Sequence, residues 1–202
     1  MNFDPMWDTR FAESDYAYGT EPNDFLKAQV KQLKGKRVLS LAEGEGRNAV
    51  YLAKLGFNVT AVDASIKGIE KAQQLAQASG VSINFIQADL ASFDLGREQW
   101  DNIIAIFAPF GQGLRAKLHQ RVVQALVPGG VFLTEAYSPE QIQFGTGGGK
   151  DVDTMLTAAQ LAQELRGVKW TLLEQLERSV VEGRYHTGMA AVVQGVGVKP
   201  NF

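Results

Sequence analysis

Three small residues and one carboxylate carry the strongest chemical signal in this chain. Gly44, Gly46 and Ala49 lie in and just after the run Ala42-Glu43-Gly44-Glu45-Gly46-Arg47-Asn48 and match the spacing G-x-G-x-x-A. Asp63 closes the β-branched run NVTAV at 58–62 that follows. Glycines at this spacing let a backbone come close to a ligand as a helix opens, and an acid ending the next strand can take ribose hydroxyls. Asp89, in Gln87-Ala88-Asp89-Leu90, ends a third strand-like run and suits an adenine amino group. The same residues have plainer readings: the glycines as a tight turn, Asp63 and Asp89 as caps of the turns that follow.

Charge separates two classes of nucleoside ligand. A dinucleotide would set its pyrophosphate against a loop that holds Glu43 and Glu45. A like-charged contact at about 4 Å costs roughly 4 kcal/mol at an effective dielectric near 20. S-adenosylmethionine has no phosphate; its sulfonium and ammonium suit an acidic loop, and N–H groups at a helix start suit its carboxylate. Glutamates turned to solvent would remove this distinction, so a nicotinamide-dependent oxidoreductase stays open beside an adenosylmethionine protein.

The elements needed to hold these residues are legible on either side. Strands are expected at 36–41, 58–62, 81–87, 101–107 and 131–137. Helices are expected at 47–55, from Ser65 to about Ser79, at about 112–126 and near 157–166, with Gly56, Gly80 and Pro128-Gly129-Gly130 as stops. Strand–helix alternation indicates βαβ units in a parallel sheet. Runs at 168–181 and 189–198 flank Glu182-Gly183-Arg184-Tyr185-His186 as a hairpin, making the last strand antiparallel. The expectation is an α/β, doubly wound, mostly parallel seven-stranded sheet, as one domain over 1–202, with a cover segment at 1–30 and the α/β core at 36–198.

At these residues the chain resembles the class I S-adenosylmethionine-dependent methyltransferases. The resemblance runs through VLSLAEGEGRNAVYLAKLGFNVTAVDAS at 38–65, QADL at 87–90, WDNIIAIFAPF at 100–110 and LVPGG at 126–130. AEGEGRNA, EAYSPEQ and GTGGGKD are similar to the branch of tellurite-resistance and thiopurine methyltransferases. The resemblance implies a cofactor loop at Glu43, Gly44 and Gly46, continued by Arg47 and Asn48. It implies a ribose acid at Asp63 with Ala64 and Ser65, and an adenine side at Ala88, Asp89 and Leu90. Phe107 and Ala108 would face the methyl donor, and Tyr18 and Gly19, in an aromatic-rich N-terminal cover, would border the cofactor. Two positions depart from the family: Ser40 stands where an acid is common and Ala42 where glycine is, so Glu43 is expected to assume part of the acid's role.

Two histidines are present. His119 falls off the apolar stripe Leu114, Leu118, Val122, Leu126 and reads as surface or structural. His186 and Arg184 sit at the hairpin tip, which overlooks the ligand side if the sixth strand is parallel, and are the candidate catalytic residues. The run GTGGGKD at 145–151 does not fit a phosphate-binding P-loop, because Asp151 stands where Ser or Thr is required; it reads as a lid or a plain loop.

Composition sets the remaining expectations. A chain of 202 residues without cysteine excludes disulfides and thiolate metal sites, and no metal is expected. A net charge of −2 gives no electrostatic reason to expect nucleic acid. The N-terminal residues lack the apolar core of a secretory signal, so a cytoplasmic protein with no membrane partner is expected. The resulting reading is methyl transfer to a small acceptor such as a thiol or chalcogen oxyanion. A non-catalytic adenosylmethionine-binding protein is the further alternative.

Overall fold

The computed structural model describes residues 4–201; Met1 to Phe3 of the expected cover segment, and Phe202, lie outside the described residues. Two short helices, α1 (Met6–Phe11) and α2 (Asp24–Gln29), precede the first strand. Then β1 (Arg37–Leu41), α3 (Arg47–Lys54), β2 (Asn58–Asp63), α4 (Ile66–Ala78) and β3 (Asn84–Gln87) alternate. They are followed by β4 (Trp100–Ile106), α5 (Gln112–Ala125), β5 (Leu126–Tyr137), α6 (Ala158–Glu164) and the hairpin β6 (Lys169–Glu182) and β7 (His186–Val198).

The seven strands form one sheet in the order β3-β2-β1-β4-β5-β7-β6. Pairings from β3 to β5 are parallel, and β7 runs antiparallel to both β5 and β6. β6 is therefore parallel to β5, and the hairpin tip lies at the same sheet edge as the carboxyl ends of β1, β4 and β5. This is the Rossmann-like methyltransferase fold expected from the sequence. Strand order reverses between β1 and β4, which puts the ligand crevice of such a sheet beyond their carboxyl ends.

Alternation along the central strands fills both faces. Leu39, Leu41, Ile103, Ala105 and Phe132 enter one buried cluster. Val38, Ile104, Ile106, Val131 and Leu133 enter the other. This period of two on a sheet covered on both sides explains the continuous apolar run at 101–107. Local chemistry sets the helix ends: the Ser65 hydroxyl accepts the Gly68 N–H at 3.1 Å to start α4, and Thr157 forms a capping box with Gln160 to start α6.

Three differences from the sequence reading have local causes. β3 starts at Asn84, not 81, since pairing with β2 begins at Thr60 opposite Asn84. Leu126 ends no helix; it opens β5 opposite Trp100, and the Pro128-Gly129-Gly130 stretch forms an irregularity before pairing resumes at Asn102 and Val131. The helix α2 was not anticipated; the Asn23 side chain caps it by accepting the Leu26 N–H at 2.9 Å, and Phe25 and Leu26 bury its inner face.

Candidate functional site

The turn from β1 into α3 is built on three left-handed residues: Ala42 at φ +50°, Gly44 at +65° and Gly46 at +93°. Gly46 is sterically fixed, because a Cβ there would lie 2.9 Å from the Ala72 Cα of α4. At Gly44 the N–H donates to Asp63 Oδ2 at 2.8 Å, while Asp63 Oδ1 accepts the Ser65 N–H at the same distance. The acid at the end of β2 thus ties the glycine loop to the start of α4. Burial pushes the Asp63 carboxyl above its usual range, against the pull of these N–H donors.

Glu43 turns inward. Its Oε1 accepts the Ala49 N–H at 2.8 Å and its Oε2 accepts the Ser40 hydroxyl. The carboxylate therefore reaches back to position 40 and occupies the N-terminus of α3, so the Ala49 N–H is already taken. Burial raises the Glu43 carboxyl to about 7. Glu45 faces elsewhere: it accepts the Ala17 N–H at 2.8 Å and pairs with Lys71 Nζ at 2.6 Å. The acidic loop is thus less negative than its sequence implies. One glutamate is neutralised by a lysine, the other titrates near neutrality, and repulsion of a pyrophosphate loses most of its force as an argument.

The N-terminal segment closes over this loop. Ala17 is held by Glu45, the Asn23 N–H donates to Asn48 Oδ1 at 2.9 Å, and the Arg184 N–H donates to the Ala17 carbonyl at 3.0 Å. Gly183 approaches the Tyr18 backbone so closely that any Cβ would collide with it. Tyr18 is thereby placed with its ring centroid 4.3 Å from that of His186, and Trp7 and Phe11 pack beside it.

Two cavities meet here. The first, about 230 Å³, is lined by Tyr18, Glu43, Gly44, Arg47, Asn48, Asp63, Ala64, Asp89, Leu90, Phe107 and His186 among the residues singled out from sequence. The second, about 330 Å³, lies against Tyr137, Tyr185, Arg10 and the loop 147–151. Trp7, Tyr18, Phe107, Pro109 and His186 border both. The loop at 145–150 is thus a wall of the second cavity, and Gly148 allows the approach: a Cβ there would stand 2.6 Å from Tyr137 Cδ2.

The remaining expected residues lie around this space rather than on it. Gly19 supports the turn against Gly183, Gly46 the α3–α4 contact, and Ser65 caps α4 and bonds Asp8. Ala88 and Ala108 pack against the apolar cluster. Arg184 lines neither cavity; it pairs with Glu13 and lies over the Tyr185 ring. His119 also lines neither: it is buried, with Nδ1 2.8 Å from Glu164 Oε2, a structural role.

His186 is the residue of greatest chemical interest. It is buried between Tyr18, Phe107 and Tyr137, and its Nδ1 has no hydrogen-bond partner among the described residues. Burial, reinforced by the positive charges of Arg47, Arg10 and Arg178, lowers its pKa to about 3. Phe107, beside it, holds φ +48°, a costly conformation for a bulky residue that its 2.7 Å N–H bond to the Glu135 carbonyl helps to fix.

Sequence reasoning missed the polar network behind the first cavity. Arg47 Nη2 pairs with Glu182 Oε2 at 2.5 Å, and Arg178 bridges Glu182 and Glu135 at 3.1 and 2.7 Å. Asn23 Nδ2 donates to Glu135 Oε2 at 2.6 Å and to Glu182 Oε1 at 2.9 Å. No spacing rule joins positions this far apart; Glu135 inside an otherwise buried strand was the one available signal. Arg47 Nη1 is left buried without a partner among the described residues, at a residue lining the first cavity.

The glycine turn, tied to Asp63, stands at the point where strand order reverses, which is where sheets of this kind bind ligands. Residues 38–130 match the family described as a methyltransferase domain. That segment holds the glycine loop, Asp63, Asp89 and Phe107, and family and fold together imply S-adenosylmethionine as cofactor. The residues present suit it: backbone at Gly44, an acid at Asp63, and an unmatched guanidinium N–H at Arg47.

Among curated relatives, a 23S rRNA (uracil(747)-C(5))-methyltransferase of Pyrococcus horikoshii is 32% identical over 99 residues, covering 49% of this chain and 23% of that protein. A ubiquinone biosynthesis O-methyltransferase of Rickettsia prowazekii is 35% identical over 69 residues, covering 34% and 27%. The chain thus spans about a quarter of the length of these relatives. Similar solved structures include a protein described for converting a disulfide bond into a thioacetal group during echinomycin biosynthesis (TM-score 0.78, 18% identity, 97% of this chain and 91% of that one). Another is TehB from Haemophilus influenzae (TM-score 0.71, 16% identity, 87% and 61%). A SAM-dependent methyltransferase from Aquifex aeolicus has a TM-score of 0.68 at 16% identity, with 98% and 100% covered. At these identities the likeness is one of fold.

Proposed function

We propose that this protein is an S-adenosylmethionine-dependent methyltransferase acting on a small molecule. The observation that carries the reading is the junction of the two cavities. The first holds the nucleoside-type determinants, the second is a separate aromatic chamber, and Tyr18, Phe107 and His186 form their common wall. When bound, adenosylmethionine supplies an activated methyl group on sulfur. The chain's own work is then to orient and to exclude water, an effect that can supply on the order of 7–11 kcal/mol.

The cover segment, pinned by Glu45 and by Gly183, closes the site from one side. Tyr18, Trp7 and Phe107 give aromatic faces to a cationic donor, each worth about 0.5–2 kcal/mol. His186 stays neutral at ordinary pH, so it adds no positive charge beside a sulfonium. Arg184 supports the hairpin through Glu13, and we assign it a positioning role rather than contact with the acceptor. A thiol or chalcogen oxyanion needs no protein base once ionised, in keeping with the weak basicity of His186.

The closed-in chamber and the absence of a net basic charge support a small acceptor over RNA, although three of the matched relatives are named as RNA methyltransferases. Among the described residues no helix is long and apolar enough to cross a membrane, and we propose a cytoplasmic protein. The test is turnover: adenosylhomocysteine formation with a panel of small thiols, selenite and tellurite, against a structured RNA. Turnover with RNA alone would reverse the acceptor assignment.

A further inference from the structure

The charged groups of the second cavity are unequally committed. Asp4 Oδ1 accepts the Met6 N–H at 2.9 Å, and Asp151 Oδ1 accepts the Asp153 N–H at 3.0 Å, so both acids serve local turns. Arg10 is different. Its guanidinium carbon stands 4.5 Å from the Tyr185 ring centroid and 5.3 Å from that of Trp7, and its Nη1 donates to the Tyr18 hydroxyl at 2.9 Å. No carboxylate comes within ion-pair distance of Arg10 or Lys150 among the described residues. Asp4 and Asp151 keep their negative charges, but Arg10, whose Nη2 meets only Met6 Sδ at 3.7 Å, is a cation of this chamber that no carboxylate pairs with among the described residues. Burial is the main cause of the lowered His186 pKa, and Arg47, Arg10 and Arg178 add to it, so Arg10 is close enough to act on the shared wall.

Position assigns this charge a role. Arg10 and Lys150 border the second cavity but not the first, whereas Phe107 and His186 border both. Arg10 reaches the shared wall only through Tyr18 and Trp7, and its own side chain lines the second cavity alone. Aromatic faces at Phe107, Tyr137 and Tyr185 line the space between. A guanidinium held against Trp7, Tyr18 and Tyr185 at the side of an aromatic chamber suits a planar anion through paired N–H donors.

We infer that the acceptor is a flat aromatic acid whose carboxylate is held by Arg10 while a different atom, lying between Phe107 and His186, receives the methyl group. This rests on the methyltransferase reading for the direction of transfer, but the recognition of the anion does not.

The test uses benzoate, benzamide and benzylamine as probes, near in shape and different in charge, titrated into the whole protein with and without saturating adenosylhomocysteine. Benzoate should bind at least about tenfold more tightly than benzamide, the scale of one charge-assisted pair, and benzylamine should bind least. Arg10→Gln should bring benzoate to the benzamide level while leaving adenosylhomocysteine affinity within about twofold, and Arg10→Lys should restore part of the preference. Equal or tighter binding of the amide or the amine overturns the inference. So do a preference that survives in Arg10→Gln and the binding of no probe at all. Failure of adenosylhomocysteine to bind would count against the methyltransferase reading alone, because the benzoate–benzamide ratio is read in its absence too.

Discussion

Arg47 Nη2 lies 2.5 Å from Glu182 Oε2, and both side chains are more than nine-tenths buried. The pair ties the glycine turn after β1 to the end of β6, two segments far apart in the chain. Glu182 also bonds Asn23 and Arg178, so the cover segment, the loop and the hairpin share one polar knot. Removing Glu182 leaves Arg47 without a counter-charge. Glu182→Ala should cost about 3–5 kcal/mol of stability, measured by urea unfolding. A loss under about 1 kcal/mol would show that the knot is not a stabilising element.

Glu43 gives stability a pH dependence of definite sign. Its carboxyl titrates near 7 in the folded chain against an ordinary value of 4.5. The folded state therefore holds this proton more firmly than the unfolded state. The contribution is fully present below pH 4.5 and is lost as pH rises through about 7. The stability difference between wild type and Glu43→Gln should accordingly shift against wild type across that interval. A difference that stays flat with pH, or moves the other way, would contradict the burial of an ionisable Glu43.

The His186 imidazole should remain neutral over the pH range of enzyme assays. With a pKa near 3 its ring proton resonances should not titrate between pH 5 and 8, while partly exposed imidazoles with ordinary values do. A midpoint near 6.5 would mean that the positive field and burial described at the cavity junction are absent in solution.

Ala42 occupies a left-handed conformation at φ +50° that glycine adopts without strain. Ala42→Gly should leave the fold intact and raise stability by up to about 1 kcal/mol, the left-handed penalty less the chain-entropy cost of glycine. A clear destabilisation would show that the Ala42 methyl group, which borders the first cavity, makes contacts worth more than its strain.

Much of this arrangement could be read from local sequence because local chemistry determines it. Gly46 and Asp63 announce themselves by residue type and spacing, and the structure places them at a turn where no side chain fits and at the carboxylate that holds Gly44. Ser65, Gly56 and Gly80 mark helix ends by capping rules that depend on a few neighbours. What could not be read was orientation. Glu43 and Glu45 look equivalent in the loop, but one caps α3 and the other salt-bridges Lys71, and only the packing of α4 separates them. The knot of Asn23, Arg47, Glu135, Arg178 and Glu182 was likewise illegible, since it joins four segments through the sheet order. Arg184 attracted notice for its place at a hairpin tip, yet the tip turns it towards Glu13.

The most direct measurement is calorimetric titration of the purified protein with adenosylmethionine, adenosylhomocysteine and NAD, repeated on Asp63→Ala. The account predicts binding of the first two in the micromolar range, about −8 kcal/mol, with no binding of NAD. In the variant, which loses both the acid and the anchor of Gly44, affinity should fall at least about tenfold. Binding of NAD in place of adenosylmethionine, or undiminished affinity in Asp63→Ala, would contradict the assignment of this cavity.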